Sequence, residues 1–262
     1  MVIAELFIKI YRTINSNILS SLKNLLINDI KGLDVRIDSI NFSKDMRFVF
    51  VSIEGEDSEA AKAYLEDKYG TKKLLEELKP GDVIKGYIAN LGNVGYGIYI
   101  DIGLDNYRKD ALIPLYELRK ALVNGVRIST RKIAFLYGFV ENFPMRVVIE
   151  RITQTLNGKR NIYAALDRDQ IKILKIWMKQ GYEKVIVTGT TRQEIRKAII
   201  KTGHLRDIIT IERIGFLEHV IVCKRDTDAP GIIAEIGPKL PFAKLGAFRP
   251  TLIKDIIAKS KK

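Results

Sequence analysis

The stretch GNVGYGIYIDIG, Gly92 to Gly103, constrains the fold more than any other: four glycines and two tyrosines are threaded through isoleucines. Glycines so dense either cradle a phosphate or let a strand bend. A dinucleotide fingerprint needs Gly-x-Gly-x-x-Gly between a strand and a helix, and a P-loop ends in Gly-Lys-Ser/Thr. Here the spacing is Gly92-x-x-Gly95-x-Gly97, no lysine follows, and the next residues alternate apolar and polar as a strand does. Glycine in such a strand serves where a barrel strand coils sharply or another backbone comes close. Tyr96 and Tyr99 are three apart, so strict alternation puts them on opposite faces unless a bulge at Gly97 changes the phase.

The surroundings suit a barrel. Lys79-Pro80-Gly81-Asp82 ends a charged helix, and strands dominate afterwards: DVIKGYIANLG, GYGIYIDIG, DALIPL, KIAFLYGFV and MRVVIERI, with YELRKALV as a helix between the third and fourth. Five strands with one helix in that place is the order of a small closed OB barrel. Before it, AELFIKIY, DVRIDSINFS and RFVFVSIEG read as strands. NSNILSSLKNLLINDI reads as a helix with Leu19, Leu22, Leu26 and Ile30 on one stripe, and EDSEAAKAYLEDKYG as a second helix stopped by Gly70. After the polar stretch TLNGKRN, LDRDQIKILKIWMKQG and TTRQEIRKAIIKTG read as helices, KVIVTG as a strand, DIITIERIGFLEHVIVCK as a hairpin turning near Gly215, and APGIIAEIG as a short helix. The expected architecture is α+β: a small α+β domain at 1–75, an OB-type β-barrel at 76–155 and a basic α/β domain at 156–262.

Charge is distributed unevenly among these segments. Residues 1–75 hold 11 Lys+Arg against 11 Asp+Glu, residues 76–155 hold 11 against 9, and residues 156–262 hold 22 against 11, which sum to the net +13 of the chain. The excess sits in the last third, where it attracts polyanions, chiefly nucleic acid. No apolar run is long enough to span a bilayer and nothing at the start resembles an export leader, so a cytoplasmic protein without membrane contact is expected. With Cys223 as the one cysteine and His204 and His219 as the two histidines, neither a cysteine-based metal site nor a cofactor is expected.

Gly81, Val83 and Gly86, then YGIYI from Tyr96 to Ile100, then ALIPLYEL from Ala111 to Leu118 resemble the S-one RNA-binding domain, an OB-fold family. The resemblance covers roughly Lys79 to Thr153. It implies that Tyr96 and Tyr99 match aromatic positions of an RNA-facing surface, where stacking contributes about 1 to 3 kcal/mol per base. Pro114 stands where the family has a histidine, and NGVRISTRKIAFLYGFVENFP replaces its basic fourth-strand start. Lys85, Arg108, Lys109, Arg119, Lys120, Arg127, Arg131 and Lys132 are candidates to line a backbone-tracking groove. Together with TGHLRDIITIERIGFLEHVIVCKRDTDAPGIIAEIGP, the barrel stretch also resembles an archaeal protein family with a central OB domain.

In the basic third, VIVTGTTRQEIRKAIIKTG delivers Thr190 and Thr191 to a helix N-terminus, where free amides and the helix dipole favour phosphate, with Arg192 alongside. Arg192 and Arg196, and Lys197 and Lys201, form rows one turn apart. The other reading is that the threonines cap the helix. Arg206, Lys224 and Arg225 lie beside turns suited to gripping phosphate. His204 with Asp207, and Glu218 with His219, lack the positioned nucleophile or metal that catalysis needs. These features lead to the expectation of a non-catalytic RNA-binding protein, associated with ribosomes or translation and in contact with ribosomal RNA and ribosomal proteins. Two alternatives stand: a transcription- or assembly-associated protein-docking factor, and an RNA-modifying or RNA-cleaving enzyme using His204 or His219.

Overall fold

The computed structural model describes residues 1–104, 110–155 and 160–259. Among these residues the chain is mixed α+β, with eight α-helices and three sheets. It divides into two compact units, the first built on Met1–Glu77 with Gly103 and Leu104, the second on Leu78–Ile102 and the described chain from residue 110 onward.

The first unit runs β1 (Val2–Leu6), α1 (Ser16–Asp29), β2 (Arg36–Phe42), β3 (Val49–Glu54) and α2 (Ser58–Tyr69), with an antiparallel sheet in the order β1-β3-β2. Asn15 starts α1 because its side chain accepts from the Ile18 amide. Ile18, Leu22, Leu25 and Leu26 make the buried stripe, while Leu19 falls off it and is exposed. The free edge of β1 is blunted where the Glu66 carboxylate accepts the Glu5 amide at 3.2 Å. Residues 71–80 form no charged helix: Lys73 bridges to Leu104 instead, and the segment is otherwise short turns and irregular chain.

In the second unit β4 (Val83–Ala89), β5 (Gly97–Asp101), β6 (Ala111–Pro114), β7 (Pro144–Gln154) and β8 (Arg160–Leu166) close on themselves in the order β4-β5-β6-β8-β7. All pairs are antiparallel except β6–β8. Gly97 has no room for a side chain, since a Cβ there would stand 2.3 Å from the Ile113 carbonyl oxygen of the neighbouring strand. Its glycine serves close strand approach, and the stretch continues as β5 rather than as a phosphate loop.

Two expectations for the barrel are corrected. KIAFLYGFV is not a strand but helix α4 (Thr130–Tyr137), which follows α3 (Leu115–Val123). Ser129 caps it by accepting from Lys132, Gly138 ends it in the left-handed conformation, and Ile133, Ala134, Leu136 and Tyr137 are buried at helical spacing. These end signals outweigh the apolar run, which is compatible with either element. The missing strand is β8, whose pairing with β7 runs from Val147↔Leu166 to Gln154↔Arg160. The barrel therefore draws its closing strand from beyond residue 155, and the stretch expected as a linker ends inside that strand, with Asn161 and Arg160 paired to Thr153 and Gln154.

After the barrel come α5 (Arg168–Gln180), β9 (Lys184–Thr188), α6 (Arg192–Lys201), β10 (Ile208–Arg213), β11 (Glu218–Cys223), α7 (Ala229–Ile236), β12 (Lys244–Phe248) and α8 (Pro250–Lys259). The four strands order as β10-β11-β9-β12, all antiparallel, a βαββαβ arrangement of ferredoxin-like type. One face of this sheet, with Val185, Val187, Ile221 and Cys223, is covered by Ile195 and Ile199 of α6 and by Ile232 and Ile236 of α7. The other face is buried too. Phe248 meets Tyr137 of α4 and Trp177 of α5, at ring-centroid distances of 5.8 and 5.6 Å, and the Thr188 hydroxyl donates to the Glu141 carbonyl at 2.9 Å. Barrel and C-terminal sheet thus share a core within one unit.

Candidate nucleic-acid interface

The tyrosines of β5 stand together. Tyr96 precedes the strand and is 56% exposed, Tyr99 is half-buried within it, and their hydroxyls are 2.9 Å apart in a hydrogen bond. Their rings meet edge to face, with centroids 6.4 Å apart at 82°. Tyr96 lies outside the regular strand, so the period-two argument for opposite faces does not apply to the pair. The hydrogen bond to Tyr96, with burial second, pushes the Tyr99 phenol up to about 12.

Both rings line an open cleft of about 730 Å³ on the barrel, walled by Asn90, Asn93 and Val94 of the β4–β5 loop and by Arg160, Asn161 and Tyr163 of β8. Asp110, Leu112 and Ile162 complete it. The guanidinium of Arg151 sits 4.3 Å from the centroid of the Tyr163 ring. The loop wall is pinned, because the carboxylate of Glu141 accepts the Asn90 and Leu91 amides, both at 2.9 Å. Aromatic rings beside amide groups and an arginine can hold a planar base on its face while meeting its polar edge.

Of the barrel cations expected from sequence, Arg131 adjoins this loop. Arg131 Nη2 lies 3.5 Å from the Gly92 carbonyl, and Lys132, the next residue of α4, is exposed. Arg119 is committed elsewhere, donating at 2.8 Å to the Ile128 carbonyl. Lys85 is half-buried on β4 opposite Arg146, and Lys120 and Arg127 are exposed, all outside the cleft lining. Arg108 and Lys109 lie outside the described residues. Sequence reasoning missed Arg160, Asn161 and Tyr163, because they sit in a segment that looked like a linker and its sequel.

In the C-terminal segment the phosphate cradle is corrected. Thr190 and Thr191 are buried, and both hydroxyls as well as the Thr191 amide donate to Glu194 Oε2, at 2.8, 3.0 and 2.8 Å. Thr191 and Glu194 form a reciprocal capping box, so the N-terminal end of α6 already holds an anion from its own first turn. A phosphate there would have to displace a carboxylate. Arg192, Arg196, Lys197 and Lys201 remain exposed on α6, and Arg206, Lys224 and Arg225 are exposed beyond it. The Lys224 amide donates to the Asp207 carbonyl at 2.8 Å, which brings the Arg206 corner beside the Lys224–Arg225 turn.

Burial separates the two histidines and the cysteine of this segment. His204 Nδ1 is 2.7 Å from Asp207 Oδ2 near the surface. Cys223 is buried, and its thiol is pushed up to about 12 by desolvation. His219 is fully buried with neither ring nitrogen hydrogen-bonded, and desolvation, then Arg213 and Arg192, lowers it to about 3. On acidification the unfolded imidazole takes its proton near pH 6.5 while the folded one does not until about 3. The unfolded state therefore binds more protons in that window, and stability falls as pH drops through it, by at most about 1.4 kcal/mol per pH unit. His219→Leu is expected to remove this slope, which thermal melts between pH 7 and 4 would read; an unchanged acid slope would contradict it.

None of the described helices is long and apolar enough to cross a membrane. No curated protein matches the sequence. The crystal structure of ttk003000868 from Thermus thermophilus is 12% identical, covering 99% of this chain and 43% of that one, at a TM-score of 0.18, too low to support any inference. The family comparison reaches nearly the whole chain: the DUF2110 N-terminal domain matches residues 2–74, the central domain 78–178 and the C-terminal domain 182–248. The central match takes in β8 and α5 together with the earlier barrel strands, and the chain belongs to the DUF2110 family.

Proposed function

We propose that this protein binds RNA through the tyrosine-lined cleft of its barrel and works, without catalysing a reaction itself, on ribosomes or in translation in an archaeal cytoplasm. The carrying observation is the hydrogen-bonded pair of exposed Tyr96 and half-buried Tyr99 in a cleft edged by Arg160 and three asparagines. The strand order, the single parallel pair β6–β8 and the helices between the third and fourth barrel strands support an OB fold of S-one type. The exposed cations of α6 and of the Arg206 and Lys224–Arg225 corner provide a second contact on the same compact unit, and two linked contacts gain avidity on one structured RNA.

Because the grip on phosphate is electrostatic, affinity for a single-stranded oligoribonucleotide falls steeply between roughly 50 and 200 mM salt, with a log–log slope of about −0.7 per phosphate neutralised. Fluorescence anisotropy over that range is the test. Absence of binding, or affinity indifferent to salt, removes the proposal. Cofractionation with ribosomal subunits on a density gradient tests the cellular setting, and migration with RNA polymerase instead would favour the transcription-associated alternative.

A further inference from the structure

Helix α4 begins where the wall of the cleft ends. The Thr130 hydroxyl donates to the Gly95 carbonyl at 2.7 Å and Arg131 reaches toward the Gly92 carbonyl, so the β4–β5 loop and the first turn of α4 are one continuous surface. Because Ile133, Ala134, Leu136 and Tyr137 point into the core, the helix turns Arg131, Lys132 and Phe135 outward together. Phe135 is 59% exposed, one turn beyond Arg131, and the Lys132 ammonium lies 5.3 Å from its ring centroid. A large apolar ring held in solvent under a cation loses the stabilisation that burial would provide, and here it stands one turn along the helix from the residue that meets the loop walling the cleft.

We infer that Phe135, flanked by Arg131 and Lys132, is a second stacking platform for a single-stranded nucleic acid whose preceding bases lie in the Tyr96–Tyr99 cleft. This rests on the reading of that cleft as a nucleic-acid site. The ring face takes a base, the two cations take the phosphates on either side, and the strand crosses the Asn90–Gly95 loop between the platforms. Stacking tolerates any base, so this platform adds affinity and footprint without sequence preference. A duplex would not fit, since its bases are already stacked on one another.

The test uses the full chain and oligouridylates of about 4 to about 12 nucleotides, within the site sizes of such barrels. Wild-type affinity is expected to step up once the strand is long enough to reach α4. Phe135→Ala abolishes that step, about tenfold, leaves the shortest oligomer unaffected, and is reversed by Phe135→Trp. Unchanged thermal melts confirm that the variants fold, as expected for an exposed ring. If Phe135→Ala binds every length like the wild type, or weakens all lengths equally, the inference of a separate stacking platform is overturned. If the wild type binds no length at all, the cleft reading itself fails, a distinct result.

Discussion

Gly246→Val is expected to lower the melting midpoint by roughly 6 to 12 °C, the equivalent of about 3 kcal/mol in a unit of this size. Gly246 lies in β12, where a Cβ would stand 2.2 Å from the Gly138 carbonyl oxygen, 2.8 Å from its carbon and 2.9 Å from Val140 Cγ1. Two of these obstacles are backbone, so no rotamer change relieves the clash. Gly138 is itself the left-handed cap of α4, at φ +66°, and a Cβ there would meet Ala247 and Phe248 backbone. Two glycines thus form the seam between barrel and C-terminal sheet. Gly95→Ala is the control, because nothing lies within 4 Å of its added carbon. Differential scanning calorimetry separates the outcomes: a Gly246 variant melting like the wild type would mean the seam opens readily.

The second large effect concerns affinity. Tyr96→Ala is expected to weaken oligoribonucleotide binding by about 1 to 3 kcal/mol, or roughly 5- to 150-fold, the contribution of one stacked base. Tyr99→Ala acts in the same direction and also releases Tyr96 from its hydrogen bond, so the double variant loses less than the sum. Tyr99→Phe keeps the ring and lets the two contributions be told apart: near-wild-type affinity assigns the effect to stacking. Tyr99 ionises only near pH 12, so affinity is expected to show no Tyr99 transition up to about pH 10. Anisotropy titrations at fixed salt make these measurements, and equal binding by the double alanine variant would eliminate the cleft.

Much of the fold could be read from the residues, and the failures have physical causes. Capped helices were legible because their signals are local: Asn15, Asp167 and Thr191 each cap a helix expected from the sequence. KIAFLYGFV defeated the reading because a short apolar run has no decisive period, and Ser129 and Gly138, which decide it, look like ordinary loop residues. The site was legible only in part. Tyr96 and Tyr99 stood out beside their glycines, whereas Arg160, Asn161 and Tyr163 reach the cleft through the parallel β6–β8 pairing, a long-range contact with no local trace. Thr190 and Thr191 show the converse error: an N-terminus suited to phosphate is equally suited to the glutamate three residues on.

The burial of both faces of the C-terminal sheet governs how the chain can be divided. Tyr137 comes from α4, Trp177 from α5 and Phe248 from β12, so three distant stretches of sequence fill one aromatic junction. Shrinking any one of these rings leaves a cavity at the junction, and a fragment severed near residue 181 would carry half an interior with nothing to close it. In this chain the barrel and the C-terminal sheet therefore depend on each other for a closed interior, and neither half is complete when cut from the other.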